Sequence, residues 1–320
     1  MLDKPRGLGS TQAVAAVRRV LRRAGYGKVK VGHGGTLDPL AEGVLPVALG
    51  EATKLAGRML DASKTYLFTI AFGEETDTLD QEGRPVAISD RRPPIAAVAA
   101  ILDHFTGEIE QVPPAYSALK IAGRRAYDLA RAGEEAELER RRVIIHSLKP
   151  LNDAARPLLE SAFARTAGRP DPFDPAAPLE LADSITLVAE VSKGTYIRSL
   201  ARDIAHALGT VGHVSYLRRT RAGPFTETQA ISLDILEQIG NGARLEDHLL
   251  PLEAGLDGIP ALTLDPEQAQ AARQGRVVSG RLEPDGLYLA TAGTVPVALM
   301  DLQGGTAKVV RGFNLPDTAE

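Results

Sequence analysis

The segment Gly32-His33-Gly34-Gly35-Thr36-Leu37-Asp38-Pro39-Leu40-Ala41-Glu42-Gly43-Val44-Leu45-Pro46 constrains the fold more than any other stretch of this 320-residue chain. Three glycines within four residues open backbone conformations closed to other residues, and Pro39 confines Asp38 to extended geometry. Such a combination demands a fixed, unusual backbone rather than a flexible link. Residues 31–50 are therefore expected to form a structured loop and no regular element. A phosphate-binding loop does not fit, because no Gly-Lys-Ser/Thr follows the glycines, and the spacing of Gly32, Gly34 and Gly35 fails the dinucleotide fingerprint. Asp38 and Glu42 leave a carboxylate pair open for acid–base chemistry, while a histidine between glycines is often a structural hydrogen-bonder.

Regular elements are expected on either side. Ser10-Thr11-Gln12 before Ala13–Arg23 reads as the capped start of a helix, with Val14, Val17, Val20 and Leu21 on one face. Helices are also expected near 52–62, over Pro94–Asp103, Arg124–Arg131 and Thr195–Leu208, and over Leu233–Ile239 with Ser232 as its cap. Thr65–Phe72, Val143–Leu148 and Ile185–Ser192 carry the patterns of strands. Residues 149–181 hold Pro150, Pro157, Pro170, Pro172, Pro175 and Pro178 with little periodicity, which points to an exposed insertion. Glycines and a proline over 240–260 mark a domain boundary, followed by a small all-β unit of about 60 residues.

Composition sharpens the partner. The net charge is −4, which argues against a nucleic-acid binder built on bulk charge, but the average hides clustering. Residues 1–32 carry a net +7 and residues 193–221 a net +5, whereas residues 225–320 carry −8. Two basic clusters in the N-terminal two thirds suit a polyanionic partner. The chain has no Cys, which excludes disulfides, thiolate metal sites and a cysteine nucleophile. No apolar run reaches the length of a membrane span, and the Met-Leu-Asp-Lys-Pro start is no signal peptide; a cytoplasmic protein with no membrane association is expected.

The glycine-rich segment resembles the catalytic motif of the bacterial TruB family, the tRNA pseudouridine-55 synthases. Other blocks agree in the family's order: Leu2-Asp3-Lys4-Pro5-Arg6-Gly7, Gly50-Glu51-Ala52-Thr53-Lys54, Lys64-Thr65-Tyr66, Pro113 to Lys120 with Gly123 and Tyr127, Ser192 to Leu200, and Tyr216-Leu217-Arg218-Arg219. The family usually has a short apolar strand before its Leu-Asp-Lys-Pro block; here Met1 stands in that place, leaving the N-terminal edge of the sheet open. The insertion at 149–181 is also longer than the family's usual hairpin.

The resemblance implies an α+β fold, with a mixed, mostly antiparallel central sheet, flanking helices (the pseudouridine synthase fold) and a small C-terminal β-rich, PUA-like domain. It implies a catalytic domain over 1–240, an RNA-closing insertion at 117–142, a linker at 241–255 and the RNA-binding unit at 256–316. The implied activity is isomerisation of uridine 55 in the T-loop of tRNA by base flipping, with no cofactor, no metal and no guide RNA; a monomer is the default expectation, since nothing in the sequence identifies an oligomer surface. A non-enzymatic RNA-binding or tRNA-folding protein and a guide-dependent synthase are the competing readings. The absence of a long basic tail and the Tyr-Ser-Ala-Leu-Lys block favour the standalone enzyme.

By the same resemblance Asp38 is the catalytic carboxylate and Arg198 its partner, a guanidinium being suited to grip a carboxylate while staying charged. Tyr66 stacks on the extruded base, Tyr196 and Leu217 line the uracil pocket, and His33 occupies the space the base leaves. Lys4, Arg18, Arg22, Lys120 and Arg218 are the expected contacts to the RNA backbone.

Overall fold

The computed structural model describes residues 1–117, 119–121, 123–134, 138–151, 180–256 and 258–315. An eight-stranded sheet forms its centre. Its strands run in the order Leu2–Lys4, Glu42–Leu45, Gly212–Ala222, Lys64–Phe72, Ser184–Val191, Arg141–Pro150 and Gly107–Gln111, with Phe225–Thr226 folded back on Ala222. Glu42–Leu45 runs parallel to Gly212–Ala222 and the other pairings are antiparallel, so the sheet is mixed and mostly antiparallel as expected.

The sheet buries different apolar sets against two groups of helices. Phe68, Ile70, Leu187 and Ala189 pack with Leu200, Ala201, Ile204 and Ala205 of the helix Ile197–Ala207. Leu2 and Leu45 pack with Val14, Val17, Val20 and Leu21 of the helix Ser10–Arg23 and with Leu236 and Ile239 of the helix Leu233–Gly240. Each of the Leu, Ile, Val and Phe side chains among them contributes about 1.5–3 kcal/mol through the water it leaves. Tyr66 and Leu217 touch both cores, so they stand where the two halves of the sheet meet.

Two expectations change. Residues 31–50 hold regular structure after all: strands at Val31–His33, Glu42–Leu45 and Val47–Leu49, and a 3₁₀ turn from Gly50. Only some of the glycines there need unusual backbone. Gly43 has φ +101°, and a Cβ on it would lie 2.3 Å from the carbonyl oxygen of Arg219, the residue it pairs with across the parallel ladder. The N-terminal edge of the sheet is also filled, because Leu2–Lys4 is itself a strand paired with Gly43–Leu45.

Helix ends differ in an instructive way. Ser10 lies inside its helix, where the amide of Gly9 donates to Gln12 Oε1. Its hydroxyl instead donates to the Leu37 carbonyl and accepts from the Leu37 amide, both at 2.8 Å, which ties the helix to the residue before Asp38. Ser232 caps as expected, accepting from the Ile235 amide. The expected insertion at 149–181 lies almost wholly outside the described residues.

A separate five-stranded sheet over Ala261–Gly312 encloses its own core of Leu262, Tyr288, Ala290, Val297, Met300 and Leu302. It docks on the turn Gly50–Leu55: Lys54 donates to the Gly312 carbonyl, and Glu51 accepts from the Asn314 amide. No helix among the described residues is long and apolar enough to cross a membrane.

Candidate active site

Asp38 sits between the strands Val31–His33 and Glu42–Leu45, on a loop held from several directions. Arg219 is almost fully buried; its Nε donates to the Val44 carbonyl at 2.8 Å, and its two Nη atoms donate to the carbonyls of Thr36 and Gly35. Lys4, with no exposed surface, donates to the carbonyls of Pro5, Leu8 and Pro39. Burial lowers the Lys4 ammonium to about 8, against the favourable pull of Asp38 and Glu42. Two buried cations thus fasten both ends of the Asp38 loop through its backbone oxygens.

Asp38 itself meets a different arginine. Arg198, in the first turn of the helix Ile197–Ala207, reaches Asp38 Oδ2 at 2.7 Å and Asp80 Oδ2 at 3.4 Å. Its guanidinium also donates to the carbonyls of Thr78 and Tyr116. Arg198 and Asp80 are buried, while Asp38 keeps 40% of its side chain exposed. The carboxylate that faces outward is therefore backed by a guanidinium that water barely reaches, where charge interactions are strongest.

Asp80 went unread in the sequence. It lies in the turn after Glu74–Thr76, accepts from Thr78 Oγ1 at 2.6 Å and from the Glu82 amide at 3.0 Å. Leu79 beside it adopts φ +61°, a conformation that a buried leucine rarely takes. Its carbonyl accepts from the Val214 amide, which locks the turn to the central strand. An Asp among Thr, Gly and Gln had the look of an ordinary surface turn, and only the tertiary approach of Arg198 reveals its use.

A cavity of about 320 Å³ opens beside this pair and is lined by Asp38, Tyr66, Tyr196, Arg198 and Leu217. All five were expected at the site. The sheet register explains how Leu217 gets there. The pairing of Gly212–Ala222 with Lys64–Phe72 shifts between Val214 and Tyr216, so Leu217 opposes Phe68 and Arg219 opposes Tyr66. Without that bulge Tyr216 and Arg218 would occupy the face that carries Tyr66. Tyr196 stands at the N-cap of the helix that carries Arg198, and Gln111 bonds its backbone amide and carbonyl. Burial raises the Tyr196 phenol.

Lys64 also lines the cavity; its ammonium donates to the carbonyls of Met59, Leu60 and Ala62 and is lowered to about 8 by burial and by Arg219. His33 is not among the lining residues. It is half-buried, its Nδ1 has no partner among the described residues, and burial followed by the nearby Arg219 lowers its pKa.

The expected RNA-backbone residues divide. Lys4 is corrected to an internal role, since a buried ammonium with three carbonyl partners has nothing left for a phosphate. Arg218 is half-buried and ringed by Asp3, Glu42 and Glu227 on the opposite face of the sheet from Tyr66. Glu42, the second acid of the motif, also accepts from the Tyr216 hydroxyl at 2.7 Å, which is pushed up to about 12 by burial and by this carboxylate. Arg18 and Arg22 lie exposed on the first helix, with Arg18 bonded to the Val31 carbonyl. Lys120 lies in a two-stranded ribbon with Arg124–Arg125.

The model of the TruB family pseudouridylate synthase N-terminal domain matches residues 21–168, and that of the tRNA pseudouridylate synthase B C-terminal domain matches 198–257. The tRNA pseudouridine synthase B of Novosphingobium aromaticivorans is 63% identical over 320 residues, covering 100% of this chain and 98% of the relative. The chain belongs to the TruB family of pseudouridylate synthases. The enzymes of the same name from Zymomonas mobilis and Caulobacter vibrioides are 54% and 45% identical, each covering 98% of this chain and 95% of the relative. Among solved structures, an H/ACA ribonucleoprotein bound to a substrate RNA containing 2′-deoxyuridine aligns with a TM-score of 0.66 at 23% identity, over 99% of this chain and 84% of the other. A Cbf5–Nop10–Gar1 complex aligns at 0.65 and 24%, over 98% and 83%. These two establish the shared fold of this pseudouridylate synthase. The sheet Ala261–Gly312 lies beyond both matched family segments.

Proposed function

We propose that this pseudouridylate synthase isomerises uridine 55 in the T-loop of tRNA to pseudouridine, without a guide RNA. The observation that carries the reading is the 2.7 Å pair of Asp38 and Arg198 at the wall of a cavity that also presents Tyr66, Tyr196 and Leu217. The reaction breaks the bond from N1 to C1′, turns the uracil and joins C5 to C1′; the proton lost from C5 is balanced by one gained at N1. It needs no oxidant and no energy source.

In this reading the target uridine leaves the stacked loop, and Tyr66 replaces part of the lost stacking, worth about 1–3 kcal/mol. Asp38 starts the rearrangement, by adding to the sugar C1′ or to the base or by taking the C2′ proton. Arg198 holds that carboxylate in place and matches its charge. Leu217 and Tyr196 bound the space in which the uracil turns. His33, whose pKa burial lowers, fills the gap the base leaves in the loop. Arg18, Arg22 and Lys120 are the backbone contacts that remain from the sequence reading, and the unit at 256–316 acts as a PUA-type RNA-binding domain.

The test is pure protein with an unmodified tRNA transcript, no cofactor and no other RNA, followed by adduct-dependent primer extension to map the modified position. A single stop at position 55 supports the reading. Activity that appears only with an added guide RNA, or a stop elsewhere, contradicts it.

A further inference from the structure

Three buried side-chain atoms have no hydrogen-bond partner among the described residues: His33 Nδ1, Ser117 Oγ and Arg141 Nε. Of these only Arg141 Nε belongs to a group that is always charged, and a buried donor of that kind without a partner asks for a reason. Its neighbours in the sequence differ. Arg140 approaches Glu110 at 4.0 Å, and Arg142 approaches Glu108 at 3.5 Å and Glu110 at 3.9 Å. Arg142, Glu108 and Glu110 sit on the exposed face of the paired strands Gly107–Gln111 and Arg141–Pro150. Arg141 points the other way. It stands opposite the fully buried Gln111, at the end of the inward row that continues with Val143 and Ile145. Gln111 bonds the backbone of Tyr196, and Arg141 Nη1 lies 3.9 Å from where a Cβ on Gly194 would stand. Gly194 and Tyr196 line the same cavity as Asp38. The half-buried Arg141 therefore stands at the rim of that cavity, with no carboxylate paired to it among the described residues. Lys193, beside Gly194, is already paired with Asp61 at 2.8 Å.

We propose that Arg141 binds a phosphate of the substrate RNA at the mouth of the cavity, on the backbone that flanks the extruded uridine. The proposal rests on the uridine-to-pseudouridine reading above. A flipped nucleotide brings its base and sugar into the cavity, while the phosphates on either side stay with the backbone outside. A cation at the rim then meets one of them. A guanidinium suits that contact, because it stays charged and donates in pairs to phosphate oxygens. No internal ion pair has to break first, and the buried Nε gains in the complex the partner it lacks in the free protein. Arg142 supplies the contrast: it lies on the opposite face, where two glutamates already meet its charge.

The test is equilibrium binding of T-arm RNA by wild type, Arg141→Gln, Arg141→Lys and Arg142→Gln over a series of salt concentrations, with pseudouridine formation followed on the same RNA. Arg141→Gln is expected to weaken binding about 5- to 10-fold at the lowest salt and to reduce the slope of log Kd against log salt by about one. Arg141→Lys keeps the charge and should keep the wild-type slope, and Arg142→Gln should bind as wild type does. A merely structural loss would weaken binding without changing the slope. The phosphate is located with RNAs that carry one neutral methylphosphonate on either side of the target uridine. Each is compared with a diester bearing the same 2′-O-methyl group on the preceding nucleoside. One of the two should weaken binding by wild type yet weaken binding by Arg141→Gln no further. A wild-type Kd and slope for Arg141→Gln, a weaker Kd with an unchanged slope, an equal loss of slope in Arg141→Lys or Arg142→Gln, or losses that add fully in both methylphosphonate RNAs would each overturn the proposal. A wild-type protein that makes no pseudouridine from this RNA would instead overturn the functional reading, and the proposal with it.

Discussion

Two buried arginines stand on either side of the Asp38 loop and are used in opposite ways. Arg198 meets carboxylates, Asp38 at 2.7 Å and Asp80 at 3.4 Å. Among the described residues Arg219 bonds only to carbonyls, those of Gly35, Thr36 and Val44, and so resembles the buried Lys4 and Lys64. A guanidinium paired with a carboxylate sets where a charge stands. One bonded to backbone oxygens sets the path of the chain. The site therefore separates charge from shape: Arg198 pairs with the Asp38 carboxylate, and Arg219 with Lys4 holds the loop that presents it.

Substitutions by lysine sharpen that contrast, since they keep the charge and remove the planar fork. The largest effect is expected at Arg198→Lys, where one ammonium cannot span Asp38, Asp80 and two carbonyls. Single-turnover pseudouridine formation should fall on the order of 10²–10³-fold, with a small change in denaturant midpoint. Asp80→Asn, which leaves the Asp38 pair intact, should cost on the order of 10-fold in the same assay. Arg219→Lys should show the reverse balance. Its loss of carbonyl partners should lower unfolding free energy by about 1–3 kcal/mol, measured by urea denaturation, with a smaller effect on rate per folded molecule. If Arg219→Lys were stable yet inactive while Arg198→Lys were unstable yet active, the division would be broken.

The smallest effect concerns Lys4. Its pKa falls from 10.5 to about 8 on folding, so between those values the unfolded chain binds the extra proton and this group makes stability rise with pH. Lys4→Met removes that contribution. The gap in urea-measured stability between wild type and Lys4→Met should therefore shift in favour of wild type as pH climbs from 7 to about 9.5. A gap that is flat with pH would show that Lys4 does not titrate there.

The same pair of arginines marks what the sequence made legible. Asp38, Tyr66, Tyr196, Arg198 and Leu217 lie in blocks that resemble the family's, and the fold brings all five to one cavity. Lys4 points inward, which the sequence did not show because charge in a sequence carries no direction. The burial of Lys4, and the ion pairs of the half-buried Arg218, depend on carbonyls and carboxylates that arrive from other segments, Pro39 for Lys4 and Glu42 and Glu227 for Arg218. The glycine block was read as free of regular structure because glycine usually breaks it. Here Gly43 serves a strand, admitting the Arg219 carbonyl where any side chain would collide. Asp80 was missed since a turn residue shows its partner only after the helix carrying Arg198 has packed.

The central claim is that Asp38, backed by Arg198, does the chemistry while the rest of the cavity binds and shapes. Asp38→Asn tests it most directly, with T-arm RNA binding and pseudouridine formation measured on the same preparation. Binding should stay within about threefold of wild type while turnover falls at least ~10³-fold. Turnover near the wild-type rate would contradict the claim.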